Sequence, residues 1–182
     1  EYTHVADDIG GGTLIGGKGD AYADYLEGIV RPLIQAHYGE TGPLGVMGSS
    51  LGGLISLHIA DKAPSTYAFA ASLSGTVGWG SIGVNNETII ERYAAHGLGS
   101  TVLYVDSGGG GTCFDSDSDG IEDDDDNASD NYCENAQFAS VLSSLGYVDG
   151  VDLFYWWEPG ASHNEAEWAA RVFRPLDIFA GL

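Results

Sequence analysis

Leu44-Gly45-Val46-Met47-Gly48-Ser49-Ser50-Leu51-Gly52-Gly53-Leu54 is the stretch that decides the fold. Its first half is a short apolar run, as a strand buried on both faces requires. Its second half opens a helical pattern that runs from Leu51 to Ala60 and ends near Pro64. At the junction stands Gly48-Ser49-Ser50-Leu51-Gly52, a G-x-S-x-G motif that occurs once in the chain. Glycines on both sides of a serine let a strand turn sharply into a helix and lift the hydroxyl above the sheet. The same turn sets the next amide, that of Leu51, beside a carbonyl held at the serine, as half of an oxyanion hole. Ser50 is therefore read as a nucleophile. Ser49 lies outside the central position of the motif.

Working outward, strand and helix patterns alternate. Residues 1–19 carry Gly10-Gly11-Gly12 and Gly16-Gly17 and are expected to be irregular. Asp20 opens a helix through Tyr22, Tyr25, Leu26, Ile29, Val30, Leu33 and Ile34. Pro32 should kink or restart it, and Gly39 should end it. Downstream, strands are expected over 67–73, 101–106 and 151–156, and helices over 87–96, 134–145 and 164–179. Strands apolar on both faces that alternate with helices predict an α/β fold, its mostly parallel sheet covered on both sides. The length of 182 residues suits one domain, 1–182, with an acidic insertion at about 107–133.

The charge narrows the function. The chain holds 27 Asp and Glu against 6 Lys and Arg, a formal charge of −21. Binding to nucleic acid needs cationic side chains for the phosphates, so no nucleic-acid partner is expected, and no anionic membrane surface. No apolar run approaches the roughly 20 residues that a spanning helix requires. The two cysteines, Cys113 and Cys133, flank the acidic insertion. A disulfide there would close a loop of about 20 residues and stabilise by roughly 3 kcal/mol in the chain-entropy account. That expectation favours a secreted or periplasmic protein. The chain opens with Glu1-Tyr2-Thr3-His4, without an initiator methionine, and is read as processed or truncated.

A serine nucleophile needs a base. Of His4, His37, His58, His96 and His163, the last lies in Glu158-Pro159-Gly160-Ala161-Ser162-His163-Asn164, directly after the last expected strand. Loops at the carboxyl ends of parallel strands are where sites gather in open α/β sheets. His58 lies on the helix after Ser50 and is read as structural. His37 and His96 sit near helix ends, where the macrodipole favours a histidine.

Tyr2-Thr3-His4, the stretch from Gly17 to Tyr38 with Arg31-Pro32-Leu33-Ile34, the segment Gly48 to Leu54 and Glu158-Pro159-Gly160-Ala161-Ser162-His163 together resemble the putative-esterase family of α/β-hydrolases. That family includes esterase D, enterochelin esterases, feruloyl esterases and mycolyltransferases. The resemblance covers almost the whole chain except the acidic insertion. It implies a serine esterase or a related acyl-transferring enzyme. It also implies strands ahead of Glu1, one of whose loops supplies the second oxyanion amide. A missing N-terminal segment or a second chain is expected to complete the sheet. The family's third triad member follows the strand equivalent to 101–106, and Asp130, just before the next helix, corresponds best. Asp106 and Asp115 remain alternatives, and a helix N-cap is the ordinary role of an Asp at position 130.

Nine of the acidic residues lie between the two cysteines. Asp115-Ser116-Asp117-Ser118-Asp119-Gly120-Ile121-Glu122-Asp123-Asp124-Asp125-Asp126 fits a twelve-residue calcium loop. Carboxylates fall at positions 1, 3, 5, 9 and 12, glycine at 6, and the Ile121 carbonyl at 7. Asp115, Asp117, Asp119, Ile121, Asp123 and Asp126 are the candidate ligands of a structural Ca²⁺. The loop has no flanking EF-hand helices and resembles those of thrombospondin type 3 repeats. No organic cofactor is expected. The combined expectation is an ester hydrolase acting on a small-molecule or glycan-linked ester. Acyl transfer, and a non-catalytic calcium-dependent binding module, are the other readings.

Overall fold

The structure, a computed structural model, describes residues 1–39, 42–124 and 130–182. Residues 1–19 contain two short strands, β1 (Ala6–Asp7) and β2 (Ile15–Gly16), paired antiparallel. The expected irregular segment is thus a small hairpin. The next helix is α1 (Gly19–Tyr25), a π-helical turn over Leu26–Val30 and α2 (Arg31–Tyr38). The sequence places the disturbance at Pro32. The chain absorbs it one turn earlier, because Pro in the first turn of α2 has no amide to satisfy and the wider π turn makes room for its ring.

Four parallel strands form the main sheet: β3 (Gly45–Ser49), β4 (Phe69–Leu73), β5 (Val102–Ser107) and β6 (Leu153–Trp157), in that spatial order. They are joined through α3 (Leu51–Lys62), α4 (Ile89–His96) and α5 (Tyr132–Leu145). After β6 the chain forms α6 (Glu165–Arg171) and α7 (Phe173–Ala180), two helices where the pattern predicts one. Pro175 sits in the first turn of α7, so the break falls at the preceding residues and spares the helix interior. Local chemistry sets the other boundaries. The Thr88 hydroxyl accepts from the Glu91 amide, while the Glu91 carboxylate accepts from the Thr88 amide. This capping box starts α4, and Gly97 at φ 82° ends it.

The strand alternation divides the core between the two faces. Ala70, Leu103 and Val105 pack with Leu54, Leu57, Ile89, Phe138 and Leu142 on the side of α3, α4 and α5. Phe69, Ala71, Leu73 and Tyr104 pack with Trp168, Val172, Ile178 and Phe179 of the last two helices and the residue between them. The architecture is the α/β-hydrolase-like one expected. Parallel register aligns the carboxyl ends of the strands: Ser49 pairs with Leu73, and Leu73 with Asp106. Everything that follows β3, β4, β5 and β6 therefore emerges at one edge. Among the described residues, no helix is long and apolar enough to cross a membrane.

His58 is fully buried and meets Asp20 at 3.0 Å, the structural role expected of it. Its ring lies 5.7 Å from that of His4, whose Nε2 is 2.7 Å from the Glu87 carbonyl. Burial is the main cause that lowers both imidazoles; repulsion from His58 adds to it at His4, which falls to about 4, and repulsion from Arg92 adds to it at His58. At His4 the unfolded chain then takes up a proton near pH 6.5 that the fold refuses until about pH 4. This contribution to stability is complete above pH 6.5 and is lost as the pH falls towards 4. Urea melts of wild type and His4→Gln across this range should show a gap that shifts in favour of the variant on acidification. A gap independent of pH would refute the assignment.

Candidate active site

The site begins at the turn from β3 into α3. Ser50 has φ 55° and ψ −126°, a conformation rarely adopted by a residue with a Cβ. Such strain costs on the order of 1–3 kcal/mol and persists only where surrounding contacts impose it. Here the Ser50 amide donates to the Leu73 carbonyl at 2.9 Å, and the Ser50 carbonyl accepts from the Gly53 and Leu54 amides. The glycine at 48 is required by space: a Cβ there would lie 2.4 Å from the Gly52 carbonyl. The motif is thus a steric specification of the turn.

The loop after β6 brings His163 to this hydroxyl. His163 Nε2 lies 2.9 Å from Ser50 Oγ, and Nδ1 lies 2.7 Å from Asp130 Oδ1. Asp130 is almost fully buried, while the His163 side chain is 30 % exposed. An ionised carboxylate only accepts hydrogen bonds, so it holds the ring proton on Nδ1 and leaves Nε2 free to take the serine proton. Burial alone would raise the Asp130 carboxyl. Hydrogen bonds from His163, Ser74 and the Gly108 amide outweigh it and hold the carboxyl below its ordinary value.

Asp130 does not cap α5. It and Asn131 occupy consecutive left-handed positions, φ 53° and 58°, and Asn131 stands at the N-cap without a side-chain bond to the helix. Asn131 Nδ2 instead donates to the Ser74 carbonyl at 3.0 Å, which ties the turn to the end of β4. Gly108 matters for the same reason as Gly48. A Cβ there would stand 2.5 Å from Asp130 Oδ2 and 2.4 Å from the Ala161 carbonyl.

Of the alternative acids, Asp106 is fully buried, but its carboxylate faces the Ser74 amide (3.0 Å), the Tyr104 hydroxyl (2.8 Å) and Arg171. Asp115 is exposed, accepting from the Asp119 and Gly120 amides. Sequence reasoning missed Ser74, Gly108, Trp168 and Arg171, each of which touches Asp130 or His163. An arginine three residues beyond a tryptophan, in a chain with 6 Lys and Arg, is the one trace that pattern reading offers for two of them.

Cys113 and Cys133 form a disulfide that closes the acidic insertion. Asp115, Asp117 and Asp119 each offer a carboxylate oxygen within 4.8 Å of the others. Asp123 turns to Ser116, accepting from its amide at 2.9 Å and its hydroxyl at 2.6 Å. Ile121 is buried, and Asp126 lies outside the described residues. Three clustered carboxylates supply the hard oxygen donors that calcium takes. A cavity of about 560 Å³ adjoins His163 and Asp130, with Ile82 and Ile121 in its wall beside Asp123, Asp124 and Glu134. Burial pushes the Glu134 carboxyl well above its ordinary value, although the Gly78 amide donates to it.

The family model described as putative esterase matches residues 14–176. No curated protein sequence matches significantly. Among solved structures, the enterobactin esterase FES from Shigella flexneri superposes with a TM-score of 0.66 at 15% identity, over 89% of this chain and 39% of that one. MPT51 (FbpC1) from Mycobacterium tuberculosis gives 0.62 at 16% identity, over 87% and 68%. The siderophore hydrolase EstA from Aspergillus nidulans gives 0.62 at 17% identity, over 92% and 59%. At these identities the likeness is one of fold. The chain spans about two fifths of the length of the Shigella enzyme.

Proposed function

Because the chain belongs to the putative esterase family, we propose that it hydrolyses carboxylic esters through a covalent acyl-enzyme, with Ser50 as nucleophile, His163 as base and Asp130 as the orienting acid. One observation carries this reading: a single imidazole lies within hydrogen-bond reach of both the Ser50 hydroxyl and the buried Asp130 carboxylate. Ser50 Oγ attacks the ester carbonyl carbon while its proton passes to His163 Nε2. Asp130 stabilises the imidazolium that forms. The Leu51 amide receives the developing oxyanion. The tetrahedral adduct collapses by expelling the alcohol, which takes the proton from His163. Water, activated by the same nitrogen, then attacks the acyl-enzyme and releases the acid.

The substrate class is a small-molecule or glycan-linked ester, entering from the cavity beside His163. Two of the similar structures are an enterobactin esterase and a siderophore hydrolase, which agrees with ester chemistry. The disulfide favours an exported protein, because such bonds persist in oxidising compartments. A fluorophosphonate probe tests the proposal. It should label the purified protein once, on the peptide that carries Ser50. A folded protein that stays unlabelled would refute the esterase reading and favour a binding module.

The insertion is proposed to hold a structural Ca²⁺ on Asp115, Asp117 and Asp119, with Ile121, Asp123 and Asp126 as the further candidates. The ion would neutralise crowded carboxylates. At a free concentration of 100 times Kd, binding only the folded state raises stability by about 2.7 kcal/mol. Calcium should therefore raise the Tm, EDTA should lower it, and Mg²⁺ should be the weaker ligand because it demands octahedral geometry. Asp119→Ala should remove the response. The absence of calcium heats in calorimetry at millimolar concentration would reduce the loop to a solvated insertion.

A further inference from the structure

We propose that Arg171 is a positioning residue for the Asp130–His163 pair, holding Asp130 Oδ2 so that Oδ1 alone faces the imidazole. The inference deepens the esterase reading and rests on it. Arg171 is the last residue of α6 and is only 2 % exposed. Its guanidinium lies between two buried carboxylates. One terminal nitrogen donates to Asp130 Oδ2 at 3.2 Å and to the Ser74 hydroxyl. Nε lies 3.1 Å from Asp106 Oδ2, as an ion-pair contact without an aligned hydrogen bond.

The Ser74 hydroxyl makes the arrangement directional. It accepts from Arg171 and from the Trp168 indole at 3.1 Å. With both acceptor positions taken, its one proton goes to Asp130 Oδ2, 2.7 Å away. The Gly108 amide donates to the same oxygen at 2.6 Å. Oδ2 thus receives three donors, and Oδ1 is left to His163. Trp168 also stands edge-on to the His163 ring, with centroids 4.9 Å apart. Two side chains three apart on α6 therefore hold the acid and the base together.

Electrostatics point the same way. One cation between two buried carboxylates supports one full negative charge more readily than two. Burial holds Asp106 above the ordinary carboxylate range despite Arg171, Tyr104 and the Ser74 amide, whereas Asp130 is held below it. Negative charge is thus favoured on the carboxylate that touches His163 more than on Asp106.

The experiment compares Arg171→Gln, Arg171→Lys and the double variant Arg171→Met with Asp106→Asn. Esterase kinetics are read with the pH profile, and His163 is titrated by NMR. Misplacing a catalytic pair by about an ångström can cost roughly a hundredfold in rate. Arg171→Gln should therefore lose about that much kcat with KM little changed. Without the nearby cation the pair holds its proton more tightly, so the acid limb and the His163 titration should both move to higher pH. Arg171→Lys should restore the limb and part of the rate. The double variant removes the Asp106 carboxyl together with the guanidinium and leaves Asp130 hydrogen-bonded by Ser74, Gly108 and His163, so it should fold even if the single one does not, and it should show the same upward shift. Folded variants with unchanged kcat and unchanged His163 titration would overturn the proposal. The titration needs no turnover, so it separates failure of this inference from failure of the esterase reading, which the fluorophosphonate probe decides.

Discussion

Ser50→Ala is expected to lower kcat for an activated short-chain ester by about 10⁶, the loss found when a triad serine is removed from a working hydrolase. The effect is this large because the hydroxyl is the only atom in the turn that can form the acyl bond. Ser49 cannot substitute. It pairs with Leu73 as the last residue of β3, and the strained backbone that lifts a hydroxyl towards His163 belongs to Ser50. The variant should fold normally, with a Tm at or above that of wild type, since active-site groups are commonly held at a cost in stability. Its calcium response should equal that of wild type. Activity within tenfold of wild type in purified Ser50→Ala would exclude a covalent mechanism at this position.

Asp130→Asn should cost about 10⁴ in kcat, the loss seen when a triad aspartate becomes asparagine. The surroundings of Asp130 give the reason. Gly108, Ser74 and Arg171 all donate to Oδ2. An asparagine will put its carbonyl oxygen there and turn its NH₂ to His163. The ring must then accept at Nδ1 and carry its proton on Nε2, the tautomer that cannot take a proton from Ser50. With the opposite orientation, the NH₂ would meet two N–H donors in a buried site. Asp115→Asn, by contrast, should alter only the calcium response. Turnover of Asp130→Asn within tenfold of wild type, with an unchanged melting temperature, would hand the acid role to another residue.

What was legible in the sequence was what depends on neighbours along the chain. The apolar runs of β3 and β5 and the helical period after Leu51 are local signals. So is Gly48-Ser49-Ser50-Leu51-Gly52, because the clash that demands Gly48 is with Gly52, four residues away. These signals suffice for the α/β class, the parallel sheet and the place of Ser50. Two details went astray for local reasons. The N-terminal hairpin carries little hydrophobic pattern, and each proline moved its disturbance to an adjacent turn.

The rest required the tertiary structure. His163 stands 113 residues from Ser50, and 33 from Asp130. Local pattern does not distinguish Asp130 from Asp106, near the end of β5, or from Asp115 beyond it; only the family resemblance favours Asp130. Parallel register sets the surroundings of each. It aligns the ends of β4 and β5, so that Ser74 reaches Asp130 while Asp106 is taken up by Tyr104 and the Ser74 amide. Arg171 then sets the two carboxylates apart from a helix that follows the last strand. A carboxylate's role is decided by which donors surround it and how much water it keeps, and both are properties of the folded chain.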